Sequence, residues 1–259
     1  MKALINNSTG MNADIHCHAD QLTPEEAETE LTKNIVIGVA SNFRSGEKLL
    51  ALQRTYPNLK VYLGIHPEHP GSFQEFDAVE KQIRDNAAII SGIGEIGLPY
   101  FNIRDLPRRE KLNAVRPAEV ILEKFLRLAD EMRLPVNLHC VEDTLPNAIG
   151  LLKKFRIKKA LFHWFEGDTD CLKQIIREGW HISISPDIVR NSHYRKYIEG
   201  IASHVKDIFT LESDGPWEYG GKRGIPSMVE ETAEILADIY KTAKEDILEI
   251  SNNNSVLFF

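Results

Sequence analysis

The chain has 259 residues, of which 42% are hydrophobic and 27% charged, and its formal net charge is −7. These values exclude a disordered chain, a collagen and a coiled coil, and they allow one large domain or two small ones. The acid excess disfavours non-specific wrapping of nucleic acid, although it leaves room for a local basic site.

The first residues and the cysteines bear on location. The segment MKALINNSTG contains no apolar stretch typical of a signal peptide, and no part of the chain is apolar enough to span a membrane. Three cysteines are too few for a disulfide framework and indicate a reducing compartment. We therefore expect a cytoplasmic protein with no membrane partner, and no oligomeric state follows from the sequence. Since Met11 opens a strand-like segment, residues 1–11 are predicted to be an N-terminal extension and residues 12–259 the folded domain.

Short apolar runs alternate with longer amphipathic stretches along the chain. The runs are almost continuously apolar, which is typical of parallel strands buried on both faces. The predicted strands are residues 12–16, 34–40, 60–65, 88–93, 135–139, 160–163, 180–185 and 207–211. The predicted helices are residues 46–55, 75–86, 118–133, 144–155, 168–178, 192–202 and 227–241. Pro117 is expected in the first turn of the helix over 118–133.

Eight strands that alternate with helices over this length predict an α/β protein, a single-domain (β/α)8 TIM barrel. The alternative is a doubly wound open sheet, which usually carries a glycine-rich phosphate turn after its first strand. Here that strand is followed by Cys17-His18-Ala19-Asp20, so the barrel is favoured.

Ligand-type side chains stand at the ends of several predicted strands. They are His16, His18, Glu95, His139, His163 and Asp214. The carboxyl ends of barrel strands meet at one mouth, where barrel enzymes build their active sites. Any one of these residues alone is more often a hydrogen-bonded structural residue. Imidazoles and carboxylates gathered in one mouth are costly unless ions compensate them, so the set predicts metal binding.

Six short motifs follow one another along the chain. They are ADIHCHAD at 13–20, GIHPEHP at 64–70, GEIGL at 94–98, LPVNLHC at 134–140, LFHWFEG at 161–167 and LESDGP at 211–216. Near the C-terminus, Asn253 is followed by Leu257-Phe258. In this order and spacing, the series resembles the TatD family of metal-dependent hydrolases, which belongs to the amidohydrolase-like barrels.

The resemblance implies a site for two divalent metal ions. The implied ligands are His16, His18, Glu95 and Asp214 for one ion and Glu95, His139 and His163 for the other. Imidazole and carboxylate donors suit Zn or Mn better than Mg. The implied reaction is hydrolysis of a phosphodiester bond by a DNase of the exonuclease type. In it, metal-activated water attacks phosphorus, and Asp214 orients that water or accepts its proton.

Further side chains are candidates for support and for substrate contact. Glu212 and Asp14 lie two residues from ligand-type residues on the same strands, so they are candidates to orient those groups. The candidate substrate contacts are His66, Arg190, Arg195 and Trp164. The resemblance suggests a phosphate contact for His66, with a structural histidine as the alternative. The expected substrate is DNA or a small phosphoester.

A basic run, KKFRIKK at 153–159, precedes the sixth predicted strand. It is therefore expected at the end of the barrel opposite the active site. We interpret it as a solvated helix end rather than as a nucleic-acid site.

Two departures from the family pattern affect the substrate side of the site. The family usually carries Asp after GEIGL, where this chain has Pro99, and often Arg two residues after the fifth-strand histidine, where this chain has Val141. These departures favour an alternative function, a metal-dependent hydrolase of a small phosphoester, amide or lactone. A barrel of the polymerase-and-histidinol-phosphatase type also starts with His-x-His, but the later motifs fit it less well. The remaining alternative is a non-catalytic metal-binding protein. The retained Asp214 disfavours the last, because a purely structural site needs no open water position.

Overall fold

The structure is a computed structural model that describes residues 10–259. Residues 1–9 lie outside the described part of the chain, so the predicted N-terminal extension at 1–11 falls almost wholly outside it and stays a prediction. Gly10 and Met11 lie outside regular secondary structure, and the first strand begins at Asn12.

Eight parallel strands form one sheet in the order of the chain. They are β1 (Asn12–Cys17), β2 (Asn34–Val39), β3 (Leu59–Leu63), β4 (Gly92–Gly97), β5 (Val136–His139), β6 (Ala160–Phe162), β7 (His181–Ile184) and β8 (Phe209–Leu211). Seven of these strands agree with the predicted ones to within about two residues at each end, which is the usual uncertainty of element boundaries.

The sheet closes on itself through a short seam between the first and last strands. Cys17 and Gly215 form an isolated parallel bridge just beyond β8. The Asp14 carboxylate accepts hydrogen bonds from the Ser213 backbone N–H at 2.9 Å and from the Ser213 hydroxyl at 2.5 Å. The eight strands thus make a nearly closed barrel surrounded by helices, and the predicted (β/α)8 TIM barrel is confirmed.

Helices follow the strands on the outside of the barrel. They are α1 (Pro24–Lys33), α2 (Phe43–Thr55), α3 (Phe76–Asp85), α4 (Arg108–Met132), α5 (Leu145–Lys154), α6 (Thr169–Glu178), α7 (Asp187–Arg190), α8 (Ser192–Val205), α9 (Val229–Tyr240) and α10 (Lys244–Ser255). A small hairpin of β9 (Glu218–Tyr219) and β10 (Lys222–Arg223) precedes α9. Among residues 10–259, none of the helices combines the length and the apolar character that crossing a membrane requires.

Neither α1 nor α10 is predicted by the apolar periodicity. Among its apolar side chains, α1 buries only Ala27 and Leu31, and α10 ends in the run SNNNS, which is rich in weak helix formers. Both helices therefore lack the wide apolar stripe that identifies a helix in a sequence.

The fourth strand lies later in the chain than predicted. The predicted strand at 88–93 was wrong at its start, because residues 87–89 form a turn after α3 and Ile89 is exposed. The strand runs instead through the glycine-rich stretch Gly92–Gly97. At Gly97, where φ is +157°, a Cβ atom would lie 2.0 Å from the carbonyl oxygen of His139. The glycines thus allow β4 and β5 to approach closely.

The fourth helix begins ten residues earlier than predicted, at Arg108 rather than at 118. Pro117 therefore lies inside α4, and its predicted place in the first turn was wrong. A proline in a helix leaves the carbonyl four residues earlier without a partner. Pro117 and Asn113 are both exposed, so water can reach that carbonyl.

The amino-terminal end of the barrel is filled by apolar side chains. Ile15, Tyr62 and Leu161 form a buried cluster with Phe258 near the C-terminus, and the Tyr62 hydroxyl donates to the Phe258 carbonyl oxygen at 2.8 Å. Phe258 also packs against His181 at the start of β7. Apolar side chains thus fill one end of the barrel, and the polar side chains lie at the carboxyl end.

Candidate metal centre

The carboxyl ends of the strands bring all the predicted ligand residues together. His16 lies in β1 and His18 just after it, Glu95 in β4, His139 at the end of β5, His163 directly after β6 and Asp214 shortly after β8. Each of them is buried except His18, whose side chain keeps 13% of its surface exposed.

Glu95 lies at the centre of the site and turns its two carboxylate oxygens towards different histidines. Oε2 lies 3.5 Å from His16 Nε2 and 3.3 Å from His18 Nε2. Oε1 lies 2.8 Å from His139 Nδ1 and 3.0 Å from His163 Nε2. One carboxylate therefore joins two sets of imidazoles.

Asp214 completes the set around Oε2. Its Oδ1 atom lies 3.4 Å from His16 Nε2 and 3.7 Å from His18 Nε2. Asp214 has a φ of +45°, a region that residues other than glycine rarely adopt, and its backbone N–H is held by the His16 carbonyl oxygen at 2.9 Å. We call His16, His18 and Asp214 the Oε2 cluster.

His66, predicted as a substrate contact, lies among the ligand-type residues. It follows β3, and its Nε2 atom lies 3.3 Å from Glu95 Oε1. Burial lowers the pKa of His66 to about 4, so its imidazole is neutral at pH 7 and able to act as a ligand. We call His66, His139 and His163 the Oε1 cluster.

Several buried polar atoms of the site make no hydrogen bond with any residue in 10–259. They are His16 Nε2, Glu95 Oε2, His139 Nε2 and His163 Nδ1. Unpaired buried polar groups are costly, and a bound cation satisfies such groups. Three groups have ligand atoms within 4.8 Å of one another: His16, His18 and Glu95; His16, His163 and Glu212; His66, Glu95 and His139. The residues therefore fit a metal site built from imidazole nitrogens and carboxylate oxygens.

The charges of the site are strongly coupled. Burial alone would raise the pKa of Glu95, but the histidines around it, His66 and His163 first, hold that pKa well below its usual range. Burial would lower the pKa of His18, yet Glu95 raises it to about 9. Burial raises the pKa of Asp214 despite its neighbouring histidines.

Glu212, predicted to support the site, lies behind His163. Its Oε1 atom is 3.7 Å from His163 Nδ1 and accepts a hydrogen bond from the Trp164 backbone N–H at 2.9 Å. Its Oε2 atom accepts a hydrogen bond from the Ser183 hydroxyl at 2.5 Å. Glu212 is completely buried and close to an imidazole, as a group that orients a ligand must be.

Asn137, not Asp14, contacts the imidazole of His16. Its Oδ1 atom lies 2.9 Å from His16 Nδ1, and its amide nitrogen donates to the Ile15 carbonyl oxygen at 3.2 Å. The Asp14 carboxylate accepts instead from the His16 backbone N–H at 3.2 Å, besides its bonds to Ser213. Asp14 thus supports the seam and the backbone of β1 rather than a ligand ring.

Glu68 was not predicted as a site residue, although it stands two residues after His66 in the motif GIHPEHP. Its Oε1 atom lies 3.4 Å from His139 Nε2. The carboxylate also accepts from the backbone N–H groups of Tyr100, Phe101 and Asn102 at 2.6, 2.8 and 3.0 Å. Although burial raises it, the contact with His139 and these amides bring the pKa of Glu68 down to about 2. Glu68 therefore fixes the loop after Pro99 and lies behind His139.

The cations predicted to contact substrate are paired with carboxylates. Arg190 Nη2 lies 3.6 Å from Glu231 Oε2, and Lys222 binds the same carboxylate. Arg195 Nε lies 3.3 Å from Glu199 Oε1, one turn along α8. The two arginines therefore contact Glu231 and Glu199 and not Glu95 at the centre of the site.

Trp164, the remaining predicted substrate contact, stands next to His163 with a φ of +40°. Its ring packs at 5.5 Å from that of Tyr219 and at 6.1 Å from that of Trp217, whose side chain is largely exposed. These aromatic rings line the rim of the mouth beside β6 and β8.

Known proteins resemble this chain in sequence and in fold. The family described as TatD related DNase matches residues 13–259. An uncharacterized metal-dependent hydrolase of Haemophilus influenzae is 33% identical over 235 residues, covering 87% of this chain and 90% of that protein. The human deoxyribonuclease TATDN3 is 26% identical, covering 95% and 93% of the two chains. The crystal structure of YjjV, a TatD homologue of Escherichia coli, superposes with a TM-score of 0.77 at 23% identity and covers 96% and 97% of the two chains.

Proposed function

We propose that this chain, which belongs to the TatD-related DNase family of metal-dependent hydrolases, cleaves phosphodiester bonds in DNA as an exonuclease with two divalent metal ions. The observation that carries the proposal is Glu95, whose oxygens face separate clusters of ligand-type side chains. A carboxylate placed in this way is able to serve two cations at once. Two cations would polarise the phosphoryl oxygen and lower the pKa of the attacking water.

The ligands proposed from the sequence are retained, and the geometry adds one candidate. His16, His18, Glu95 and Asp214 are proposed for one ion and Glu95, His139 and His163 for the other. His66 is a further candidate ligand, because its Nε2 atom lies as close to Glu95 as those of the proposed ligands. The donor set favours Zn or Mn.

Asp214 is the residue proposed to handle the proton. Its carboxylate borders the mouth with 11% of the side chain exposed, whereas that of Glu95 is completely enclosed. Only Asp214 of these two is therefore open to a water molecule that enters from solvent. It orients that water for attack on phosphorus and accepts its proton.

Three further side chains keep the imidazoles in place during the reaction. Glu212 positions His163, Asn137 positions His16 and Glu68 positions His139. Trp164 and the exposed Trp217 offer a surface on which a base of the substrate is able to stack.

The pairing of Arg190, Arg195 and Lys222 with carboxylates favours a second candidate function, the hydrolysis of a small phosphoester. An amide or a lactone would require the same activated water. A small substrate needs no cations beyond the metal centre, whereas a DNA strand does.

Turnover by metal-loaded protein tests the proposal. Protein loaded with Mn or Zn is expected to cleave bis(p-nitrophenyl) phosphate and to shorten end-labelled single-stranded DNA from one end. Asp214→Asn is expected to lower both activities by about 10²- to 10⁴-fold. Asp207→Asn, which removes an exposed carboxylate just before β8, at the opposite end of the barrel, is the control and is expected to retain both. Activity on neither substrate, or an unchanged Asp214→Asn variant, contradicts the proposal.

A further inference from the structure

The first turns of α4 carry cations that lack a carboxylate partner. Arg108, Arg109 and Arg116 are exposed and Lys111 is half-buried, and none of them forms an ion pair with a residue in 10–259. They differ in this from Arg190, which is bound to Glu231. We call these four residues the α4 basic segment.

The α4 basic segment lies at the edge of the packed body of the barrel, where, of residues 108–117, only Val115 packs partly against the core. No residue at positions 108–117 is buried, and the buried face of α4 begins at Ala118. Ten helical residues extend over about 15 Å. Because helices follow strands in this fold, the start of α4 lies at the carboxyl end of the strands, on the same side as the metal centre.

A cleft of about 240 Å³ connects the segment with the strand ends. Arg108 and Lys111 line it on the helix side, and Leu98 after β4 and Thr144 after β5 line it on the barrel side. A chain that lies along the segment and in the cleft therefore reaches the residues that follow β4 and β5, the strands that carry Glu95 and His139.

Phe101 lies beside the metal centre, and its neighbour Tyr100 lines the cleft. Its side chain is 53% exposed, and its ring centroid lies 5.8 Å from that of His139. The bond from its backbone N–H to Glu68 holds the loop that carries it. An exposed aromatic ring beside a cationic track is the usual arrangement of a surface that binds single-stranded nucleic acid.

The local charge differs in sign from that of the whole chain. Residues 104–116 contain five Arg and Lys and two Asp and Glu, so 5 − 2 gives +3, against −7 for all 259 residues. Two carboxylates, Glu119 and Asp143, also line the cleft, and Asn147 binds the first of them. The segment is thus a local basic surface on an acidic protein, which attracts a polyanion to one place.

We propose that the α4 basic segment binds the phosphate backbone of a DNA strand and leads it through the cleft to the metal centre. This inference rests on the proposed function. A polymeric substrate needs unpaired cations, and the α4 basic segment supplies them. Arg190 and Arg195 do not, because both are bound to carboxylates.

Two triple variants test the proposal, and each removes three cations. R108Q/R109Q/K111Q changes the α4 basic segment. R156Q/K158Q/K159Q is the matched control, because these exposed residues precede β6 at the opposite end of the barrel and form no ion pair with a residue in 10–259. The probe is a short fluorescent single-stranded DNA with phosphorothioate linkages, which keep the charge and resist cleavage. Fluorescence anisotropy measures its binding to Mn-loaded protein at several salt concentrations.

The α4 variant is expected to bind the probe about tenfold more weakly at low salt. The slope of log K against log salt should fall by about 2, since three contacts contribute about 0.7 each on a single strand. The control variant should bind within about twofold of the wild type. Equal weakening by both variants, or by neither, overturns the assignment.

Hydrolysis of bis(p-nitrophenyl) phosphate separates the surface from the metal centre. Both triple variants are expected to cleave this small diester at the wild-type rate. If the wild type cleaves it while the α4 variant still binds DNA normally, the surface assignment fails and the proposed function stands. If the wild type cleaves no phosphodiester, the proposed function fails, and the inference that rests on it fails as well.

Two other partners are distinguished by the same variants. Flotation with anionic vesicles tests for a membrane surface, and sedimentation equilibrium tests for a second copy of the chain. A change in either measurement with unchanged DNA binding overturns the proposal. Unchanged vesicle binding and unchanged mass, together with weaker DNA binding, support it.

Discussion

The two sides of Glu95 are built from different supporting groups. In the Oε2 cluster, His16 contacts the amide of Asn137 at 2.9 Å. The carboxylate nearest to β1, Asp14, holds backbone and the Ser213 side chain instead of a ring. A neutral amide orients an imidazole without changing its charge, so this side depends mainly on geometry.

In the Oε1 cluster, carboxylates lie behind two of the histidines. Glu68 faces His139 at 3.4 Å, and Glu212 faces His163 at 3.7 Å. A carboxylate behind an imidazole fixes its tautomer and makes it a stronger donor to a metal.

On the Oε2 side the groups behind the rings are neutral, namely Asn137 at His16 and the Ser41 hydroxyl 3.3 Å from His18 Nδ1. The comparison teaches that affinity for a cation should depend on second carboxylates on the Oε1 side and on neutral groups on the Oε2 side.

Glu95→Gln should have the largest effect, because it acts on both sides at once. The amide keeps the shape but loses the charge that both clusters share. We expect activity to fall by about 10³-fold or more and metal content to fall at both positions. Metal analysis of the purified protein together with initial rates measures this, with Asp207→Asn as the control. Loss of only one equivalent of metal would show that Glu95 does not join the two sides.

Asp214→Asn should separate proton transfer from metal binding on the Oε1 side. We expect a fall in kcat of about 10²- to 10⁴-fold, the range for loss of a general base. The Oε1 cluster does not include Asp214, so one equivalent of metal should remain. A complete loss of metal would contradict the division into two clusters.

Glu68→Gln should weaken the Oε1 side selectively. We expect metal affinity to fall by about 10- to 100-fold for one of two equivalents, as is usual when a carboxylate behind a ligand is changed. Isothermal titration calorimetry with Mn measures both affinities. The variant also loosens the loop at Tyr100 and Phe101, so limited proteolysis should cut it faster there. An equal loss at both metal positions would contradict the comparison.

Asn137→Ala should have a smaller effect, confined to the Oε2 side. The lost hydrogen bond to His16 is worth about 1 kcal/mol, which corresponds to a decrease of about fivefold in the affinity for one metal ion. The same titration measures it. If Asn137→Ala lost more metal affinity than Glu68→Gln, the prediction that a carboxylate supports its histidine more strongly than an amide would be wrong.

A histidine outside the centre provides a test of stability rather than of activity. Burial lowers the pKa of His181 to about 4, below the usual value near 6.5. Between these values the unfolded chain binds the additional proton, so this residue lowers stability as the pH falls from about 6.5 towards 4, by about 2 kcal/mol at pH 5. Urea unfolding of wild type and His181→Phe at pH 7 and pH 5 measures the difference. Equal acid sensitivity of the two proteins would contradict it.

The sequence predicts the barrel and its ligand-type residues because both follow from order along the chain. Apolar runs identify the strands, and the polar residue at the end of each run must then lie at the mouth. The groups behind the ligands do not follow in the same way. Asn137 looks like an ordinary strand residue, and only the pairing of strands brings it to His16. Glu68 is visible beside His66, but its contact with His139 depends on the course of two loops.

The error at α4 has a similar cause. Pro117 suggests a helix start, and residues 108–116 lack the buried face that periodicity detects. They are helical by local preference, since the segment is rich in good helix formers such as Arg, Lys and Glu. The sequence does not show which cations form ion pairs either. Arg190 is therefore predicted as a substrate contact, whereas the structure pairs it with Glu231.

The seam between β1 and β8 has a consequence for how the protein is made. Cys17 and Asp14 come from the start of the chain, and their partners Gly215 and Ser213 are about 200 residues later. A chain still growing on the ribosome therefore lacks both the strand that closes the sheet and the last carboxylate of the candidate metal centre. The seam and the centre draw on the same late segment, Ser213 to Gly215. Hydrolytic activity is thus expected to appear only in a nearly finished chain, and a nascent or prematurely terminated product should be inert.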